Sequence, residues 1–186
     1  MGNLSQRYVI SVMFLDQVGI VAEVSAAIRR LGGNLLDVSQ TVLRGYFSMI
    51  LLGEFPEGTS TEDVQKSLQG INALQGACFG VMPFREDLET PARNGEDSDT
   101  YILTASGPDQ PGLVAMLSEY LKERRINIVD LSCCQAHTGE YTMIWQIQIP
   151  AELDVQKLQN SMRLAFQPKV TVGLRHQALF KVTNEI

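Results

Sequence analysis

The chain has 186 residues, 45% of them hydrophobic, with a formal net charge of −6. That length holds one domain or two small ones, each able to bury a core, and the absence of a Lys/Arg patch argues against direct nucleic-acid binding. The three cysteines, Cys78, Cys133 and Cys134, show no Cys-x-x-Cys or Cys/His spacing, so neither a disulfide framework nor a metal site is expected.

Other general features point to a soluble cytoplasmic protein with reduced, structural cysteines. The apolar run 9–15 is too short to cross a membrane and lacks the flanks of a signal peptide. The opening Met1-Gly2-Asn3-Leu4-Ser5-Gln6 places Gln6 where a myristoylation signal wants Ser or Thr.

In chain order, residues 8–14 read as a first strand and 18–31 as a helix. Ile20, Val21, Val24, Ile28 and Leu31 form its apolar stripe. Gly32-Gly33 ends the helix, because glycine accepts the left-handed closing geometry. Residues 34–43 alternate, with Leu36, Val38 and Val42 on one side and Asp37, Ser39 and Thr41 on the other. Arg44-Gly45 turns the chain into a hairpin partner over 46–55. Thr59 and Glu62 resemble a capping box opening a helix that carries Val64, Leu68, Ile71 and Leu74. Residues 77–84 close this half as a strand. The segment 85–100 carries six acids against two arginines and almost nothing apolar, which reads as an acidic linker.

The second half repeats the order. A strand over 101–107 leads to a helix over 111–125, with Leu113, Val114, Leu117 and Leu121 on its stripe. Residues 127–136 and 140–149 form a hairpin across Thr138-Gly139, and Tyr141, Met143, Trp145, Ile147 and Ile149 alternate with polar neighbours. A helix over 154–166 carries Val155, Leu158, Met162, Leu164 and Ala165, and a strand over 169–180 follows. Cys133 and Cys134, adjacent in a strand, should face opposite ways.

Sliding the chain by 93 residues superposes Tyr8 on Tyr101, Asp16 on Asp109, Gly19 on Gly112, Asn34 on Asn127 and Asp37 on Asp130. Roughly ten identities in 34 aligned positions mark an internal repeat. Two rounds of strand, helix, strand, strand, helix, strand predict an α+β fold. It comprises two ferredoxin-like βαββαβ units, each a four-stranded antiparallel sheet with both helices on one face. The expected boundaries are a first domain over 1–84, a linker over 85–100 and a second domain over 101–186. The open sheet edges and bare faces need covering, and a homodimer would serve.

The repeated turn, Asp16-Gln17-Val18-Gly19-Ile20-Val21 and Asp109-Gln110-Pro111-Gly112-Leu113-Val114, joins strand to helix. Bare amides at a helix start attract carboxylates. With Ile126-Asn127-Ile128 opening the next strand, the pattern resembles an ACT domain, a small regulatory module that often binds amino acids. Two such units, together with the turn Val42-Leu43-Arg44-Gly45-Tyr46-Phe47, resemble the glycine cleavage system transcriptional repressor family. That resemblance implies a non-enzymatic regulator that uses glycine as its signal. It would act through a transcription activator partner, without touching DNA and without a cofactor.

The resemblance also implies where ligand binds: at the turn of one unit against the second-strand start of a neighbouring unit. It points to Asp16, Gln17, Val18, Gly19 and Ile20 with Asn34 and Leu35, and to Asp109, Gln110, Pro111, Gly112 and Leu113 with Asn127 and Ile128. Val18 departs from the usual proline, which weakens the first copy as a binder. Each residue also has a plainer reading. Asp16 and Asp109 serve equally as helix caps, and Asn34 and Asn127 as turn residues. Pro111 presets the first helical φ, and Met49, Met143 and Trp145 fill core. His137 and His176 stand alone, without a triad. Two rival functions remain: an interaction module that has lost its ligand, or a detached regulatory piece of an enzyme such as formyltetrahydrofolate deformylase.

Overall fold

The computed structural model describes residues 4–86, 98–135 and 139–178. The chain divides into two compact units, Met1–Glu86 and Asp87–Ile186. Most of the acidic segment (87–97), with His137, Thr138 and the end of the expected last strand, lies outside the described residues.

In the first unit the elements are β1 (Leu4–Leu15), α1 (Ile20–Arg30), β2 (Asn34–Leu43), β3 (Tyr46–Pro56), α2 (Thr61–Gln69) and β4 (Cys78–Pro83). The second unit has β5 (Ser98–Pro108), α3 (Leu113–Glu123), β6 (Asn127–Gln135), β7 (Glu140–Pro150), α4 (Val155–Phe166) and β8 (Thr171–His176). The sheets are antiparallel, in the orders β2-β3-β1-β4 and β6-β7-β5-β8. These are the two ferredoxin-like units the repeat predicts.

Strand periodicity puts both helices on one face. Phe47, Met49, Leu51 and Phe55 alternate along β3 and are buried with Ile20, Val24 and Ile28 of α1 and Val64 and Leu68 of α2. In the second unit Met143, Trp145, Ile147 and Ile149 of β7 meet Leu113, Leu117 and Leu121 of α3 and Leu158, Met162 and Phe166 of α4. Met49, Met143 and Trp145 are therefore core, as expected.

The opposite faces differ. That of the first unit carries Met13, Ile50 and Met82, each more than half exposed. At the matching places of the second lie Ser106, Ile144 and Arg175, so only the middle one stays apolar.

Several local expectations are corrected. The helices start later than expected, at Ile20 and Leu113, because Gly19 and Gly112 are the N-caps in left-handed conformation, with φ of 99° and 89°. Neither glycine's helix has a side-chain cap, so Asp16 and Asp109 do not cap them. Pro111 precedes the N-cap and presets a turn instead of the first helical residue. The capping box is shifted by one residue: Ser60 accepts from the Asp63 amide at 3.1 Å, and the Ser60 amide donates to Asp63 at 2.9 Å. Asp154 caps α4, accepting from the amides of Gln156 and Lys157.

The α1 end matches expectation: Gly33 N–H reaches Ile28 O and Gly32 N–H reaches Arg29 O, the paired bonds of a left-handed stop. The second copy closes the same way with Arg125 at φ 56° in place of glycine.

Leu36, Val38 and Val42 are exposed, because β2 is an edge strand and a bulge between Leu35 and Asp37 breaks its alternation. Leu164 faces solvent at 85% exposure while Phe166 takes the buried place. Cys133 pairs with Met143 and Cys134 with Thr142, so they face opposite ways, but all three cysteines are free and exposed, not core.

Candidate functional site

Each turn leaves its strand at the sheet end where the central hairpin closes. Asp16 N–H donates to Gly45 O at 2.9 Å and Asp109 N–H to Gly139 O at 3.4 Å, tying both turns to their hairpin tips. At Gly19 and Gly112 a Cβ would meet nothing within 4 Å. The glycines are there for their positive φ, which costs other residues strain, and not because a chain segment crowds them. Beyond them the first amides of α1 and α3 have no side-chain partner and carry the positive end of the helix dipole.

The two turns then diverge. In the first unit Gln17 Nε2 donates to Ala73 O at 2.8 Å, which fixes the turn to the short 3-10 segment Asn72–Leu74, and Val18 stands fully in solvent. In the second, Gln135 Nε2 donates to Asp109 Oδ2 at 3.0 Å. Asp109, Gln110, Tyr141 and the first turn of α3 border a shallow, open cleft of about 500 Å³. The Tyr141 phenol is pushed up from its ordinary value, first by its hydrogen bond with Cys133, then by desolvation and by nearby negative charge that includes Asp109. It therefore stays neutral, with its hydroxyl already engaged by Cys133.

The remaining expected residues are elsewhere. Asn34 pairs with Glu54 and Leu35 with Gly53, whereas Leu15, just before the turn, pairs with Tyr46. Eight residue steps separate those ends of β3, about 27 Å at 3.4 Å each. Asn127, whose Nδ2 donates to Gln148 Oε1 at 3.2 Å, and Ile128 are removed from Asp109 in the same way. Within a unit the turn and the second-strand start do not meet.

A larger cleft of about 720 Å³ lies at that far end of the first unit, lined among others by Arg7, Tyr8, Glu54, Thr59, Ser60 and Glu86. Its groups are already spent. Arg7 Nε is 3.2 Å from Glu54 Oε1, Tyr8 donates to Thr59 O at 2.6 Å, and Asp63 closes the start of α2. Gln135 and Tyr141, by contrast, were not expected at the site. The signal in the sequence was their polarity, since the repeat aligns them with Val42 and Phe47, but their nearness to Asp109 depends on strand register.

Two βαββαβ units, each entering its first helix through an uncapped, left-handed glycine turn, define a tandem ferredoxin-like protein. Residues 6–77 and 99–172 each match the ACT domain model, so the chain belongs to the ACT-domain family and carries the domain twice. A UPF0237 protein of Methanosarcina mazei is 42% identical over 77 residues, which are 41% of this chain and 80% of that protein.

Among solved structures, an unknown protein from Galdieria sulphuraria superposes with a TM-score of 0.72 at 24% identity, over 92% of this chain and 98% of its own. A candidate glycine cleavage system transcriptional repressor superposes with a TM-score of 0.66 at 16% identity, over 94% of this chain and 100% of its own. At these identities both likenesses describe the fold. No described helix is long and apolar enough to cross a membrane, and no group of three His, Cys, Asp or Glu among the described residues could hold a metal ion.

Proposed function

We propose that this protein is an amino-acid-responsive regulator, with no catalytic activity of its own, that passes the ligand state to a protein partner. The observation that carries the reading is the duplicated turn with its unpartnered helix amides, in a chain of the ACT-domain family. Amides at a helix start suit a carboxylate, and a nearby aspartate suits an ammonium. Ligand would act by preferring one packing of the units, and the partner by preferring the same or the other.

Glycine is the proposed signal, and a transcription activator the proposed partner, with DNA untouched by this chain. The resemblance to glycine cleavage repressors and the name of one structural neighbour support this choice. The bare face around Met13, Ile50 and Met82 supports the partner half, since so exposed an apolar surface marks an interaction site. A cytoplasmic location and a homodimer complete the proposal, with edge strands β2 and β6 left to be covered.

A thermal-shift screen of the purified chain against the twenty standard amino acids tests the reading. Ligand at a hundredfold above its dissociation constant adds about 2.7 kcal/mol, which is several degrees for units this small. A selective shift supports the sensor. Unchanged melting with every amino acid at millimolar concentration refutes it for the free protein.

A further inference from the structure

We propose that a second copy of this chain closes the bare sheet face of the first unit, face on face, in a two-fold dimer. This makes specific the homodimer proposed above and depends on no ligand.

The two units differ at equivalent positions of one fold. On the first sheet Met13, Leu52 and Met82 lie on the side away from the helices. Strand pairing puts Ser106, Gln146 and Arg175 at the same places of the second. The second unit keeps the same strand order with polar side chains there, so the fold does not require apolar ones. Yet Met13, Ile50 and Met82 are 53%, 57% and 59% exposed. Among the described residues, charge on this face is confined to its margins, with Asp37 on the edge strand and the Arg7–Glu54 pair at one end. An uncharged apolar surface of this kind calls for a cover of the same kind.

The face carries its own projection and its own recess. Ile50 has Ser11 and Ser39 as its neighbours on the flanking strands, with Gly80 beyond Ser11, so it rises from a row of small side chains. Beside it Val9, Leu52 and Phe84 help line a hollow of about 200 Å³. A surface with both can pair with itself about a two-fold axis, each copy filling the other's hollow. Pairing with the second unit's face would instead bury Arg175 against an uncharged surface, which is costly. The size is also right for self-association. Seven residues of β1 from Val9 to Leu15 span about 24 Å, and four strands about 19 Å. That is roughly 900 Å² for the pair before side-chain relief is counted, close to the ~1,000 Å² at which specific interfaces begin. A protein partner that uses this face must displace the second copy.

Sedimentation velocity on the full chain, from about 1 to about 500 µM, tests the assignment. The expected result is reversible conversion from 20.6 kDa to twice that mass. Ile50→Lys and Met82→Lys each enter the contact twice, once per copy. A tenfold loss at each site then multiplies to about a hundredfold in dissociation constant. Both side chains are more than half exposed, so far-UV circular dichroism of the variants should match the parent. Ile144→Lys, the equivalent change to Ile50→Lys in the second unit, should leave the dimer intact. Cys78 pairs with Met13 and shares its face, so its alkylation by a maleimide should slow as the protein is concentrated. Cys133 and Cys134, exposed on the second unit, should react at a constant rate. A dimer that survives both lysine variants, or that leaves Cys78 equally reactive, is held by another surface and overturns the assignment while keeping the homodimer. Monomer throughout the range overturns both. Neither outcome bears on the amino-acid response, which the melting screen reads.

Discussion

Phe55 folds its ring back over Gly53, two residues earlier on the same face of β3, so that a Cβ on Gly53 would lie 2.8 Å from the ring. The same ring stands 2.7 Å from where a Cβ of Gly33 would be. Neither glycine has positive φ, so it is packing that demands them. Gly53→Ala and Gly33→Ala should each cost about 1–3 kcal/mol, the usual penalty of overpacking. Phe55→Leu should restore part of the loss in the Gly53→Ala background. Urea denaturation of the single and double variants checks both statements.

The site glycines follow another rule. Gly112 has φ 89° and open space around it, so a side chain there meets conformational strain but no clash. Gly112→Ala and Gly112→Leu should cost alike, roughly 1–2 kcal/mol. Gly107 is the contrast, since its Cβ would sit 2.4 Å from Lys169 O. Gly107→Ala should therefore destabilise more than Gly112→Ala, measured in the same denaturation series.

Trp145 occupies the centre of the second core with no exposed surface, and its indole N–H has no partner among the described residues. A buried donor without an acceptor is costly. Trp145→Phe should therefore lose less stability than its volume change suggests, while Trp145→Ala should lose about 3–5 kcal/mol by opening a cavity. The comparison isolates the indole nitrogen.

Asp63 and Asp154 have pKa values lowered from 3.8. For Asp63 the chief cause is its hydrogen bonding with Ser60, and for Asp154 the Lys157 amide. A carboxyl lowered by folding stabilises above its unfolded value, and that stabilisation is lost as pH falls through the folded value. Melting temperature should thus decline on acidification below about pH 3.8. Ser60→Ala and Asp154→Ala should lower melting at neutral pH by a few degrees and flatten that acid decline.

The duplicated motif, the 93-residue slide and the alternation of β3 and β7 were enough to read the fold, because hydrophobic period and repeat are local properties of the chain. They also located both turns and the stop at Gly32-Gly33. Local pattern failed where a distant neighbour decides. Val38 and Val42 look buried by period but lie on an edge strand, since strand order, not sequence, puts β2 outermost. Asp109 looks like a cap because caps favour aspartate, yet the left-handed Gly112 takes that place.

Between the two turns the sequence offered one difference, Val18 against Pro111, and no sign of what faces them. Strand pairing alone brings Gln135 and Tyr141 to one and Val42 and Phe47 to the other. The sequence by itself determined two ferredoxin-like units and the glycines that start their helices, through period and backbone preference. The tertiary structure decided which groups face each turn, because register across a hairpin sets which side chains become neighbours.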